Sequence, residues 1–330
     1  MQVLVLGATG FIGGAISKEA LSRDWQVRGL RRSPDRSGLL AEDPVEWVQG
    51  DLDHPAGLEI IFRGVDVVFH AAGYYPGNSK NVASQVAHSV QQTAHVLELM
   101  RAEHVKRLVY TSSFTTMVSP QAQTKTLADE QDYYPVGMLA RSAYYECKIA
   151  MERQLSSVPK VALEVVILNP TMVIGPGGST LSTGAIVQAV ARGWGLFWLP
   201  AKVNVVDVRD VAQAHVQAAQ LGRSGGRYLL GGHNLELRQL MQEIAAIAGV
   251  RGPRWPLPLA TIDALVWMED HLPGVNVFAN HLRAVRYWPH YSIAKAQREL
   301  GYQVRPLQET LVETLEGYRK NRKLYYLSVW

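Results

Sequence analysis

The sequence predicts an α/β protein, a doubly wound parallel sheet with a smaller C-terminal lobe. Three observations predict it. Short apolar runs recur along the first half, as expected for strands buried on both faces of a parallel sheet. Segments with helical apolar spacing separate them. Most runs end in small or polar residues, where sheets of this kind bind their ligands.

The elements follow in order. Val3 to Leu6 is the first strand, ended by Gly7, and Phe11 to Leu21 the first helix. Gln26 to Leu30 is the second strand; Val45 to Val48 is the third, ending at Gly50-Asp51. Val65 to Phe69 is the fourth, ending at His70-Ala71-Ala72-Gly73, with a long helix from Ala83 to Arg101 after it. Leu108 to Tyr110 leads into Thr111-Ser112-Ser113, Tyr144 to Leu155 is helical, and Ala162 to Leu168 stops at Asn169-Pro170. These segments place a dinucleotide-binding domain at 1–170. Residues 171–330 form mainly a substrate lobe, with some segments returning to the sheet.

Composition narrows the function classes. Of 330 residues, 47% are hydrophobic and 19% charged, enough for a large core and too apolar for global disorder. The net charge is +4 with no run of five like charges, so no nucleic-acid partner is expected. Cys147 is the single cysteine, which excludes an intrachain disulfide and fits a reducing compartment. No apolar run approaches the ~18 residues of a membrane span, and no basic leader precedes Val3. A cytoplasmic protein with no membrane partner is the expectation. No His/Cys/Asp cluster has metal-ligand spacing, so no metal is expected.

Gly7-Ala8-Thr9-Gly10-Phe11-Ile12-Gly13 lies between the first strand and the first helix. Glycines permit a tight turn and close approach of backbone to phosphate, and the helix N-terminus offers free N–H groups to a pyrophosphate. The spacing is G-x-x-G-x-x-G, and its context predicts dinucleotide binding rather than a bare turn. An NAD site usually carries a carboxylate at the end of the second strand. Here Arg31 and Arg32 stand there, which suits a 2′-phosphate and predicts NADP in preference to NAD. The competing reading is a solvated basic loop. Asp51 could accept from an adenine amino group or be a simple turn aspartate.

Tyr144 and Lys148 are spaced i, i+4, on one helical face. A phenol titrating near 10 is poor for acid–base work near neutrality, and a nearby ammonium is expected to lower that value. Ser113 or Ser112, at the end of the fifth strand, could bond a substrate oxygen; either could instead cap the loop.

With these motifs in order along nearly the whole chain, the sequence resembles the extended short-chain dehydrogenases/reductases. That superfamily includes sugar-nucleotide epimerases and dehydratases, dihydroflavonol reductases and 3β-hydroxysteroid dehydrogenases. The resemblance rests also on Val68-Phe69-His70-Ala71-Ala72, Asn169 to Gly177, Val206 to Ala212 and Glu299-Leu300-Gly301-Tyr302. It implies a Rossmann-type fold with Ser113, Tyr144 and Lys148 as catalytic residues, Tyr144 being the general acid/base. It implies cofactor contacts from Gly7, Thr9, Gly10, Phe11, Ile12, Asp51, Leu52, Ala71, Ala72 and Gly73, with Pro170, Thr171 and Val173 on the nicotinamide side. Asp207 and Asp210 are expected to organise structure beneath the site.

Two departures mark the chain. Ser89-Val90-Gln91-Gln92-Thr93 replaces the family's Asn-Val-x-Gly-Thr. Thr116-Met117-Val118 stands where the epimerases carry a Val-Tyr-Gly tripeptide, which, with Arg31/Arg32, favours the reductase branch. The expected function is an NADP(H)-dependent oxidoreductase acting on a small-molecule carbonyl or alcohol. The alternatives are a nucleotide-sugar epimerase or dehydratase and a non-catalytic dinucleotide sensor. Trp194, Phe197, Trp198, Trp255, Trp267, Tyr287 and Trp288 could line an apolar substrate pocket or pack the lobe. Arg283 and Arg286 could meet a sugar-nucleotide diphosphate or be solvated. The resemblance also implies a homodimer paired through the helices Ala83–Arg101 and Tyr144–Leu155, using Val86, Val90, Val96, Leu97, Met100, Ile149, Met151 and Leu155.

Overall fold

The computed structural model describes residues 1–117, 127–135, 137, 142–178, 183–272 and 282–320; Val118 of the Thr116-Met117-Val118 tripeptide lies outside them. β1 (Gln2–Leu6), α1 (Phe11–Leu21), β2 (Gln26–Arg31) and β3 (Val45–Gln49) build one half of the sheet. β4 (Val67–His70), α2 (Val82–Ala102), β5 (Arg107–Thr111), α3 (Ala143–Ser156) and β6 (Glu164–Pro170) build the other. After β7 (Met172–Ile174), α4 (Thr183–Ala191), β8 (Phe197–Trp198) and β9 (Lys202–Asp207), the chain returns to the sheet. It does so through α5 (Val208–Leu221) and β10 (Arg227–Leu230). It then forms β11 (His233–Glu236), α6 (Leu237–Ala248), β12 (Trp255–Pro256), α7 (Leu259–His271) and two helices, Ala294–Leu300 and Leu307–Lys320.

The main sheet has seven strands in the order β10-β6-β5-β4-β1-β2-β3, all pairs parallel. The order reverses between β1 and β4, so the crevice at their carboxyl ends is the ligand position of this topology. Every residue of β4 and β10 is buried, which suits their mainly apolar sequences, with Arg227 at the start of β10 and His70 at the end of β4 as the polar exceptions. A second sheet, β11-β9-β7, carries the lobe.

Asp207 caps α5, its Oδ1 accepting from Arg209 N at 2.7 Å, and its Oδ2 accepts from Thr310 Oγ1 at 2.9 Å. Asp210 accepts from Arg305 N at 2.8 Å. Both aspartates thus tie α5 to the C-terminal segments rather than enter the cleft. Much of the apolar set on α2 and α3 is spent inside one chain. Val96, Leu97, Met100, Ile149, Met151 and Leu155 are buried, while Val86 and Val90 are half-buried. No described helix is long and apolar enough to cross a membrane.

Candidate active site

The glycine loop is shaped by two close approaches. Gly7 has φ +90°, and a Cβ there would lie 2.9 Å from the Ala71 and Ala72 backbone across the β1–β4 crevice. A Cβ on Gly13 would come within 2.1 Å of Gly7 O, so α1 packs directly on the turn. Gly10 N donates to Gly7 O at 2.8 Å, and no side chain caps α1. The first-turn N–H groups therefore remain for a ligand, and this cradle fits a pyrophosphate. Arg31 closes β2 and stacks over Trp47, its guanidinium 5.2 Å from the ring centroid, and Arg32 beside it is exposed. Asp51 Oδ1 accepts from Asp53 N at 3.1 Å, the geometry of a turn aspartate. Leu52 is buried in the core beneath it. Ser89, in the place of the family's asparagine, is buried and bonds Val86 O at 2.8 Å and the Cys147 thiol.

A cleft of about 540 Å³ opens above β4, β5 and β6. Phe11, Ile12, Ala71, Gly73, Ser113, Tyr144, Lys148, Pro170, Thr171 and Val173 all line it, so much of the expected set converges. Gly7, Thr9, Gly10, Arg31, Arg32, Asp51, Leu52 and Ala72 lie off its wall, along the loop side or in the core.

The structure separates the two serines. The Ser113 side chain bonds the Tyr144 phenol. Ser112 Oγ donates instead to Glu152, below the cleft. Glu152 is buried on α3, one turn past Lys148. Asn169 Nδ2 donates to it at 2.8 Å, and Thr116 Oγ1 lies at 2.9 Å. Arg227 Nε stands 2.7 Å from Glu152 Oε1 but off the line of its N–H, so the contact is an ion pair. Asn169 Nδ2 also reaches Ser113 O at 3.1 Å. This network fixes the backbone that carries Ser113. Sequence reasoning missed Glu152 and Arg227; the i, i+4, i+8 series Tyr144, Lys148, Glu152 was the one available signal.

Lys148 Nζ donates to Thr111 O at 3.3 Å and lies over the Tyr110 ring. Burial lowers its pKa to about 8, with Glu152 opposing that shift. The expected lowering of the Tyr144 phenol is not found. Burial pushes it up first, the neighbouring Tyr75 adds to this, and the bond with Ser113 opposes it. The correction has a simple cause: Lys148 points to the Thr111 carbonyl, and desolvation of the phenolate dominates. His70, buried between β4's neighbours with neither ring nitrogen bonded, is held neutral, its pKa lowered to about 3 by burial and by Lys148.

The opposite wall is apolar: Met172, Ile174, Ile186, Leu282 and Trp288. Trp288 Nε1 donates to Tyr145 OH at 3.0 Å, and its ring meets Phe114 edge-on at 5.5 Å. Of the seven aromatics considered for the pocket, Trp288 lines it. Trp194, Phe197, Trp255 and Trp267 are exposed elsewhere. Arg283 pairs with Asp270 and Arg286 with Asp263, so neither is left for a diphosphate in the cleft.

The sequence profile of the NAD-dependent epimerase/dehydratase family matches residues 3–231. The chain belongs to this family. It is therefore an NAD(P)-dependent enzyme of the extended short-chain dehydrogenase/reductase superfamily. It is 28% identical over 330 residues to a putative dihydroflavonol 4-reductase of Synechocystis, covering 96% of this chain and 94% of that one. It is 26% identical over 275 residues to sterol demethylase protein B of Methylococcus capsulatus, covering 82% of each. A solved nucleoside-diphosphate-sugar epimerase of Pseudomonas aeruginosa superposes with a TM-score of 0.80 at 27% identity, covering 97% of this chain and 98% of the other.

Proposed function

We propose that the protein is an NADP(H)-dependent reductase or dehydrogenase of apolar carbonyl or alcohol substrates. The observation that carries the reading is the hydrogen-bonded Ser113–Tyr144 pair facing a cleft lined on its lobe side by Met172, Ile174, Ile186, Leu282 and Trp288. The nicotinamide nucleotide, when bound, supplies or takes the hydride. Ser113 and Tyr144 present two hydroxyls to the substrate oxygen, and Tyr144 gives up its proton to that oxygen during reduction. Burial keeps the phenol protonated, so the proton is in place before reduction, although the same burial makes it a weaker acid. Lys148 sits against Gly73, a Cβ there falling 3.1 Å from Nζ, where a ribose hydroxyl would pass.

The polarity of the cleft supports the substrate class. Lys148 is the one charged side chain among the described lining residues, and none of the others there would neutralise a nucleotide-sugar diphosphate or a coenzyme A phosphate. The relatives named for a dihydroflavonol and a sterol fit this lining better than the sugar-nucleotide epimerase does. A pure sensor would not need the Ser113–Tyr144 pair. The test is NADPH consumption with a panel of apolar ketones and aldehydes beside nucleotide sugars. Conversion of a nucleotide sugar without net oxidation of NADPH would replace this reading with epimerisation.

Arg31 and Arg32 support the NADP preference. NADPH is expected to bind more tightly than NADH, each charge-assisted bond contributing roughly 1.5–3 kcal/mol. Replacing both with serine should remove most of the difference in a fluorescence titration. Equal affinity of the unaltered protein for the two nucleotides would end the assignment.

A further inference from the structure

The lobe carries an aromatic ribbon that the cleft does not use. β8 and β12 pair in parallel as a two-stranded sheet of their own, Phe197 beside Trp255 and Trp198 beside Pro256. Trp194 is 72% exposed, Phe197 52% and Trp255 51%. The Phe197 and Trp255 ring centroids are 5.6 Å apart. Large rings clustered in water at this exposure mark an interaction surface rather than a core. The segments 192–202 and 250–258 contain Arg192, Lys202, Arg251 and Arg254 and no aspartate or glutamate. Arg192 lies over the Trp194 ring, and Arg238 of α6 lies over Trp198.

We propose that this ribbon docks the protein on an anionic lipid surface. Tryptophan favours the boundary between headgroups and acyl chains, where one end of the ring is apolar and the other wet. Arginines beside the rings add attraction to acidic headgroups, which salt screens. The expectation of no membrane partner rested on the lack of a spanning segment; a ribbon that lies on the surface needs none. The ribbon follows α4 directly, and the first turn of α4 (Thr183 to Ile186) lines the cleft. Docking there would bring the cleft to the phase in which an apolar substrate dissolves. The docking itself does not depend on the proposed chemistry.

The test is co-sedimentation of the full chain with phosphatidylcholine vesicles, with and without phosphatidylglycerol, at low and high salt. Binding to the anionic vesicles alone, weakened by salt, is expected. Trp194→Ser combined with Trp255→Ser should reduce it at least tenfold, while nucleotide binding and circular dichroism stay unchanged. Arg251→Glu with Arg254→Glu should remove the salt-sensitive part. Because Trp194 is the most exposed ring, Trp194→Ser alone keeps the test decisive if the double variant misfolds; it should weaken binding severalfold. No preference for anionic vesicles, or full binding by the folded variants, would overturn the proposal. So would a chain that ignores vesicles but halves its mass in light scattering when the rings are removed, since a second copy would then cover the ribbon.

Discussion

On the sheet side of the cleft, Ser113 and Tyr144 stand on a buried polar network of Ser112, Thr116, Glu152, Asn169 and Arg227. On the lobe side, Met172, Ile186, Leu282 and Trp288 meet the cleft with side chains that have almost no directional bonds. The two walls specify position by different physics. Hydrogen bonds and a desolvated ion pair tolerate little displacement, so the polar wall holds the Ser113 and Tyr144 hydroxyls in one geometry. Apolar contacts depend on volume and area, so the other wall can change its occupant without disturbing the chemistry.

That contrast breaks most sharply at Tyr144. Tyr144→Phe keeps the ring and removes the transferable proton. Turnover should fall by about 10² or more with nucleotide affinity retained. Near-normal turnover would remove Tyr144 from the mechanism.

Glu152 should come next. Glu152→Gln leaves Arg227 buried without its counter-charge, a change costing about 3–5 kcal/mol in comparable pairs. Urea melts should show it, and kcat should drop more than KM rises, since Ser113 loses its support. If stability and kcat both stay within error, the network is only incidental to the site.

Lys148 offers a pH test of the polar wall. Its pKa of about 8 in the folded chain lies below the usual lysine value, so the folded state releases its proton first. Between about pH 8 and the unfolded pKa of about 10.4, the unfolded chain holds more protons, so this residue's contribution to stability rises with pH. Activity should move the other way. kcat/KM is expected to decline above pH 8 as the ammonium is lost, and Lys148→Met should lack that limb. A flat profile through pH 9 in the unaltered enzyme would contradict the role given to Lys148.

The smallest effect is expected from the apolar wall. Ile186→Ala or Leu282→Ala should change KM for apolar ketones by about tenfold, with kcat nearly constant, as removal of a few methylenes implies. A large loss of kcat would mean that the two walls are not separable.

Much of this site was legible in the chain. The glycine loop announced its turn because Gly13 packs on Gly7 within the same motif, although the other close approach, Gly7 to Ala71 and Ala72, comes from far along the chain. The buried strands showed as apolar runs, and Tyr144 with Lys148 showed as one helical turn. These are local patterns, written by the 3.6-residue period of a helix and the two covered faces of a parallel strand. The lobe was less legible, since the two-residue strands β8 and β12 are too short to carry a period.

The different partners of Ser112 and Ser113 belonged to the tertiary structure. Adjacent residues at a strand end face different ways, and only the packing of α3 shows that one meets Glu152 and the other Tyr144. The same holds for Arg227, which reaches Glu152 from β10 across the fold, and for Arg283 and Arg286, which find their carboxylates on α7. It holds also for the Tyr144 phenol, whose shift follows from burial that no neighbour in sequence reports. By itself the sequence determined the elements, the nucleotide loop and the Tyr–Lys face, because those depend on near neighbours. Charge partners, desolvation and the line between cleft and surface aromatics depend on residues far apart in the chain, and the folded arrangement alone decided them.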